Sequence, residues 1–260
     1  MPARFPIADT RVRCGCAGWS IPAVGRARFG TGATVLQPYA TRFDAVEINS
    51  SFYRPHRAST YARWADSVPE DFRFSVKLPR SISHDARLRG TGPLLDAFLA
   101  QAGALGTRLG CLLVQLPPSA AFDARVAARF FALRRRRWQG AVVCEPRHAS
   151  WLLPAAVAVA LPTRHRIARC AADPAPVPRA ATPDASVAPP YWRWHGSARV
   201  YYSSDDERAL QALADAVRAT PHVARQPPAE RGVIFDNTAA GLAVPNARRL
   251  QAMLWVERGV

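Results

Sequence analysis

The chain has 260 residues, 49% of them hydrophobic, which is ample for a large core and excludes disorder of the whole molecule. A formal charge of +16 and a pI near 11.1 raise nucleic acid as a partner, since clustered cations release counterions from phosphates. The basic residues are spread along the chain except for the run Arg134, Arg135, Arg136 and Arg137, so nucleic acid is not favoured and solvated surface charge is expected instead.

No apolar run approaches the roughly 20 residues of a membrane span and no signal peptide is visible in residues 1–13. A cytoplasmic protein with no membrane partner is expected. Cys14, Cys16, Cys111, Cys144 and Cys170 lie in apolar runs without a CxxC pair and read as buried reduced thiols. Cys14 and Cys16 share a strand face, but a zinc site needs further ligands that the spacing does not supply. No motif calls for a cofactor.

A first strand over residues 12–19 runs into a glycine turn and an irregular loop, followed by a helix near 33–42. Residues 44–49 form the second strand, 59–67 a helix, and 72–78 a third strand that alternates Phe72, Phe74, Val76 and Leu78 against Arg73, Ser75 and Lys77. Lys77 is the only lysine in the chain. His84 lies in the next loop, before a helix over 93–105. A continuous apolar strand over 110–116 ends at Gln115, and Asp123 caps a helix to about Arg136. Strand five covers 141–145, and Ser150 is placed to cap a helix through Val159. A sixth strand over 166–172 ends at Asp173. Residues 174–190 make no helix. A seventh strand spans 191–195, a helix 205–219, an eighth strand 232–237, and a closing helix 241–256.

About eight strands separated by helices predict parallel pairing with helical crossovers, and the length suits a single-domain (β/α)8 barrel over residues 1–260, irregular between strands six and seven. An open doubly wound sheet is the rival, weakened by the lack of a GxGxxG turn after any early strand. In a barrel the inward strand face turns polar at the C-terminal rim, where active sites lie. Most strands here end in such a residue. Glu47, Lys77 and Glu145 are the catalytic candidates; Asn49, His84, Gln115, Arg147, Asp173, Arg193, His195 and Asn237 are the substrate-binding ones. Phe52 and Tyr53 either floor a pocket or belong to the core, the core being favoured, and Trp192 and Trp194 face the helices.

Two carboxylates supply acid and base, the lysine serves as a fixed charge or an imine-forming amine, and guanidinium groups grip a carboxylate or phosphate. The leading expectation is therefore an enzyme for a small anionic substrate, of lyase, isomerase or hydrolase type. The alternatives are a metal-dependent hydrolase using Glu47, Glu145, Asp173 and a histidine, and a nucleic-acid-binding protein.

Several segments, in order, resemble the YecE-like family, also called DUF72. They are Gly15-Cys16-Ala17-Gly18-Trp19-Ser20, Val46-Glu47-Ile48-Asn49-Ser50-Ser51-Phe52-Tyr53, Phe72-Arg73-Phe74-Ser75-Val76-Lys77 with His84, Gln115-Leu116-Pro117-Pro118, Glu145-Pro146-Arg147-His148-Ala149-Ser150-Trp151 and Arg193-Trp194-His195-Gly196. The resemblance spans nearly the whole chain and implies a TIM barrel of unsettled function. The chain departs from the family pattern at Pro146, where Phe is usual, and at Phe235-Asp236-Asn237-Thr238, in place of a pair of asparagines followed by aspartate.

Overall fold

The computed structural model describes residues 11–153, 164–184, 187, 189–221 and 230–255. Strands and helices alternate: β1 (Val12–Cys16), α1 (Leu36–Ala40), β2 (Ala45–Ile48), α2 (Ala58–Asp66), β3 (Arg73–Lys77), α3 (Gly92–Ala102), β4 (Leu109–Gln115), α4 (Ala124–Arg137), β5 (Ala141–Glu145), β6 (Ala168–Arg169), β7 (Ala171–Asp173), β8 (Tyr191–Trp194), α5 (Glu207–Ala219), β9 (Arg231–Phe235) and α6 (Ala243–Trp255). All pairings are parallel. β2 to β6 form one sheet in chain order, and β7, β8, β9 and β1 form the other.

β6 and β7 occupy one strand position of the ring. β6 pairs with β5, β7 pairs with β8, and the amide of Cys170 between them bonds to Cys144 O at 2.8 Å. Tilted, staggered barrel strands meet one neighbour before the other, so a short strand divides its bonds in this way. The expected sixth strand is therefore present but broken at Cys170.

The ring closes between β1 and β2 by a different device. Only Ala17 and Glu47 bridge there, with Gly18 N donating to Glu47 O at 2.9 Å. Next to them the buried Tyr39 hydroxyl accepts from Cys16 N (2.8 Å) and donates to Ala45 O (3.1 Å). A Cβ on Gly15 would lie 2.1 Å from Ala45 O, so only glycine allows this approach. The cyclic order is that of a (β/α)8 barrel.

Apolar alternation sorts the strand faces. Val46, Ile48, Phe74, Val76, Cys144, Trp192, Val233 and Phe235 pack outward among the helices. Ala17, Cys111, Leu113, Val143, Ala168, Cys170, Tyr191 and Ile234 fill the interior. All five cysteines are free and buried.

Local signals set the helix ends. Asp123 Oδ1 accepts from Arg125 N and Val126 N, capping α4 as expected. α1 is shorter than the predicted 33–42. Thr34 and Gln37 exchange side-chain to backbone bonds at 3.2 and 3.3 Å, a capping box that sets its start. Ser150 does not cap a helix: His148 Nδ1 accepts from Ser150 N, while Ser150 Oγ accepts from Phe122 N at 2.7 Å. Most of the helix expected up to Val159 lies outside the described residues. Among the described residues of 174–190 only a short turn, Pro178–Ala181, is helical.

Candidate active site at the mouth of the barrel

Six side chains from five strand ends converge above the apolar interior. Glu47 (β2), Lys77 (β3), Glu145 (β5) and Arg193 (β8) end their strands on the inward phase, and His195 and Asp236 follow β8 and β9 on the same phase; all six are buried. Arg193, fully buried, is the hub. Its Nε and Nη2 grip Glu47 Oε2 and Oε1 at 2.9 and 2.7 Å, Nη1 donates to Glu145 Oε2 at 2.5 Å, and Nη2 also donates to Asp236 Oδ2 at 2.9 Å. A guanidinium has five donors. Four meet carboxylates here, and Nη1 also lies 3.5 Å from His195 Nε2. Arg193, expected to hold substrate, thus spends its donors within the protein.

His195 stands between two carboxylates. Its Nε2 is 3.0 Å from Glu145 Oε1, and its Nδ1 is 3.1 Å from Asp236 Oδ2, though off the N–H axis. Burial pushes the imidazole pKa down, but Glu145 and Asp236 push it up further, and the balance lies above 6.5. Burial raises Glu145, yet Arg193 and His195 outweigh it and hold the carboxyl far below its ordinary range. Asp236 is lowered against its burial by the same two partners.

Lys77 contrasts with its neighbours. It is 7% exposed, and its ammonium makes no hydrogen bond or ion pair among the described residues. Instead Nζ sits 4.3 Å above the ring of Phe52. The Ser51 hydroxyl, lying between Lys77 O (2.7 Å) and Ile48 O (2.8 Å), ties the backbone next to Phe52 to β2 and β3. Phe52, buried as expected of a core aromatic, thus also lines the candidate site, and His84 packs edge-on against the same ring at 4.7 Å. Burial and nearby Arg193 lower the Lys77 pKa, and the three carboxylates only partly offset them. Burial and Lys77 likewise lower His84.

The remaining candidates divide. Arg147 donates to Glu145 Oε1 at 3.0 Å and stays partly exposed. Gln115 and Asn49 are half-buried on the inward phase, and the buried Asn49 Oδ1 has no partner among the described residues. Two candidates point elsewhere. Asn237 follows the outward Phe235, and its Nδ2 bonds Ser203 O and Asn246 Oδ1 of α6, both at 2.9 Å. Asp173 follows the outward Ala171 and accepts from Ser197 Oγ at 2.9 Å. It also faces Asp205, whose pKa burial and this like charge push up to about 6. The carboxylates a metal reading required are thus engaged by Arg193 or turned away.

The arginine run is also spent locally. Arg134 donates to Trp138 O and His165 O, Arg135 to His165 O and Gln139 O, and Arg137 pairs with Asp96.

Residues 13–259 match the model of the family described as "Protein of unknown function DUF72". The chain belongs to the DUF72 family. It is 37% identical to UPF0759 protein YecE of Escherichia coli (strain K12) over 103 residues, 40% of this chain and 36% of YecE. It is 29% identical to UPF0759 protein YunF of Bacillus subtilis (strain 168) over 129 residues, 46% of this chain and 44% of YunF. The chain therefore matches less than half the length of these relatives. Among solved structures, a DUF72 protein of Enterococcus faecalis V583 superposes with a TM-score of 0.75 at 22% identity, covering 94% of this chain and 95% of that one. A DUF72 protein of Thermotoga maritima MSB8 gives 0.73 at 23%, covering 94% and 99%. These likenesses show the fold.

Asp236 is the functional candidate that sequence reasoning missed in this DUF72 chain. β9 is apolar on both faces at Val233, Ile234 and Phe235, so period-two contrast does not reveal which of Asp236 and Asn237 points inward. The same blindness affects β7, whose Ala171 and Ala172 precede Asp173.

Proposed function

We propose that this DUF72 chain is an enzyme for a small anionic substrate, bound at the C-terminal mouth of its barrel by Lys77 and Arg147, with His195 donating the proton. One observation carries the reading: Lys77 is buried, yet its ammonium has no acceptor among the described residues, while three carboxylates close by are held by Arg193. A buried ammonium requires oxygen partners, and a carboxylate or phosphate supplies them. Glu145, held below its ordinary range, favours the protonated form of His195, and serves in this reading as an orienting group rather than the acid. The network of Glu47, Arg193 and Asp236 fixes the geometry.

Calorimetric titration of the full chain with small carboxylates and phosphates tests this. Binding that weakens about tenfold or more in Lys77→Met supports it. Equal affinity in that variant, or no oxyanion binding by the native chain, overturns it.

A further inference from the structure

We propose that Lys77 forms an imine with its substrate, so that the mouth of the barrel takes aldehydes or ketones that also carry a carboxylate or phosphate. The inference rests on the anion-binding reading above and narrows its substrate class.

Three observations carry it. The first is chemical identity. Of 35 lysines and arginines in the chain, Lys77 is the only lysine. A site that needs only fixed positive charge is served by arginine, which stays protonated and forks onto oxyanions; an amine adds the capacity to lose a proton and attack carbon.

The second is the arrangement of counter-charges. Glu47, Glu145 and Asp236 all stand near Lys77, yet both oxygens of Glu47, both of Glu145 and Oδ2 of Asp236 are engaged by Arg193, His195 or Arg147. No carboxylate within the cluster fixes the proton on Nζ, while Phe52 covers the amine at 4.3 Å and the Arg193 cation lies nearby. Desolvation and a neighbouring cation are the two devices that make a lysine nucleophilic.

The third is a proton carrier. His84 engages Ser83 Oγ through Nδ1 at 2.9 Å, packs on the same Phe52 ring, and is near enough to feel the Lys77 charge. Its Nε2 has no partner among the described residues.

The step balances without an oxidant or reductant. Lys77 gives up one proton to His84, and the Nζ lone pair bonds to the carbonyl carbon as the C=O π pair moves to oxygen. The carbinolamine oxygen then leaves as water, taking one hydrogen from the nitrogen and the other back from His84. Ammonium plus carbonyl becomes iminium plus water, and the positive charge remains at the site to face the substrate anion.

The single lysine makes the test direct, since the only other primary amine of the chain is its α-amino group. The full chain is incubated separately with pyruvate, glyoxylate and dihydroxyacetone phosphate, reduced with sodium borohydride, and mapped by mass spectrometry. The expected result is one adduct, heavier by the carbonyl compound less one oxygen, on the peptide containing Lys77. It disappears in Lys77→Arg, whose folding is checked by circular dichroism. No adduct with any of the three compounds, or one confined to the α-amino group, overturns the proposal by the native chain alone. Calorimetry with L-lactate and glycerol 3-phosphate, which keep the anion and lack the carbonyl, separates the two readings. If these bind while Lys77 stays unmodified, the imine falls and the anion site stands; if neither they nor the carbonyl compounds bind, both fall.

Discussion

A fully buried guanidinium is tolerated only when its donors are met, and Arg193 meets this condition with three carboxylates from β2, β5 and the end of β9. At this scale much of the site is legible in the sequence. Glu47, Lys77, Arg193 and His195 stand out because each lies in or just past a strand in which apolar and polar residues alternate, and Glu145, though it ends an apolar strand, stands out through its alternation with Cys144, Pro146 and Arg147. Asn237 and Asp173 mislead because their strands lack that contrast. Their contacts give them different duties. Asn237→Ala removes the donor to Ser203 O and leaves Asn246 Oδ1 of α6 with only its longer bonds from Ser204 Oγ and Asp205 N, and is expected to cost about 1–3 kcal/mol in urea unfolding. Oxyanion affinity should stay as in the native chain. A substantial loss of affinity with intact stability would return Asn237 to the site.

Among the elements, the seam between β1 and β2 depends on one side chain. Tyr39 lies on α1, yet its hydroxyl does the work of a ladder bond between Cys16 N and Ala45 O. Tyr39→Phe keeps the ring packing and strands both backbone groups, so a loss of about 1–3 kcal/mol is expected. Amide exchange at Cys16 should accelerate along with it; an unchanged rate would mean that the seam closes without the hydroxyl. The strands and most helices are readable from apolar period and caps such as Asp123, but this seam is not. Tyr39 reads simply as an apolar helix residue, and nothing local reports that its hydroxyl reaches another strand. The break at Cys170 escapes for a related reason, since pairing partners are set by barrel stagger rather than by the sequence of β6 and β7.

For the molecule as a whole, the buried cluster links stability to pH. Glu145 and Asp236 have folded pKa values below their unfolded ones. Their contribution is present above the unfolded carboxylate range, about 4, and is lost as pH falls through the folded values. His195 has a folded pKa above its unfolded one, so its contribution is present below 6.5 and is lost as pH rises through the folded value. Asp205, whose folded pKa is raised, costs stability as pH rises from 3.8 through about 6, a window that adjoins that of His195. Urea midpoints against pH should fall on the acid side and show a second decline above 6.5. His195→Gln should abolish that second decline; its persistence would assign it to another group. The charge of +16 plays a quieter part. Arg134, Arg135 and Arg137 are tied to carbonyls and Asp96, so the one dense run of cations serves the end of α4.

Arg193 also has a mechanical role that follows from the division of the ring. The chain forms two ribbons, β2 to β6 and β7 to β1, joined covalently at Cys170 and stitched opposite that hinge by Tyr39. Glu47 and Glu145 belong to one ribbon, while Arg193, His195 and Asp236 belong to the other. Every ion pair from Arg193 to Glu47 or Glu145 therefore crosses between ribbons, and the cluster is a buckle that fastens the two halves at their upper rim. Protonating those carboxylates is expected to loosen the mouth of the barrel itself, so the candidate site and the closure of the ring share one set of charges.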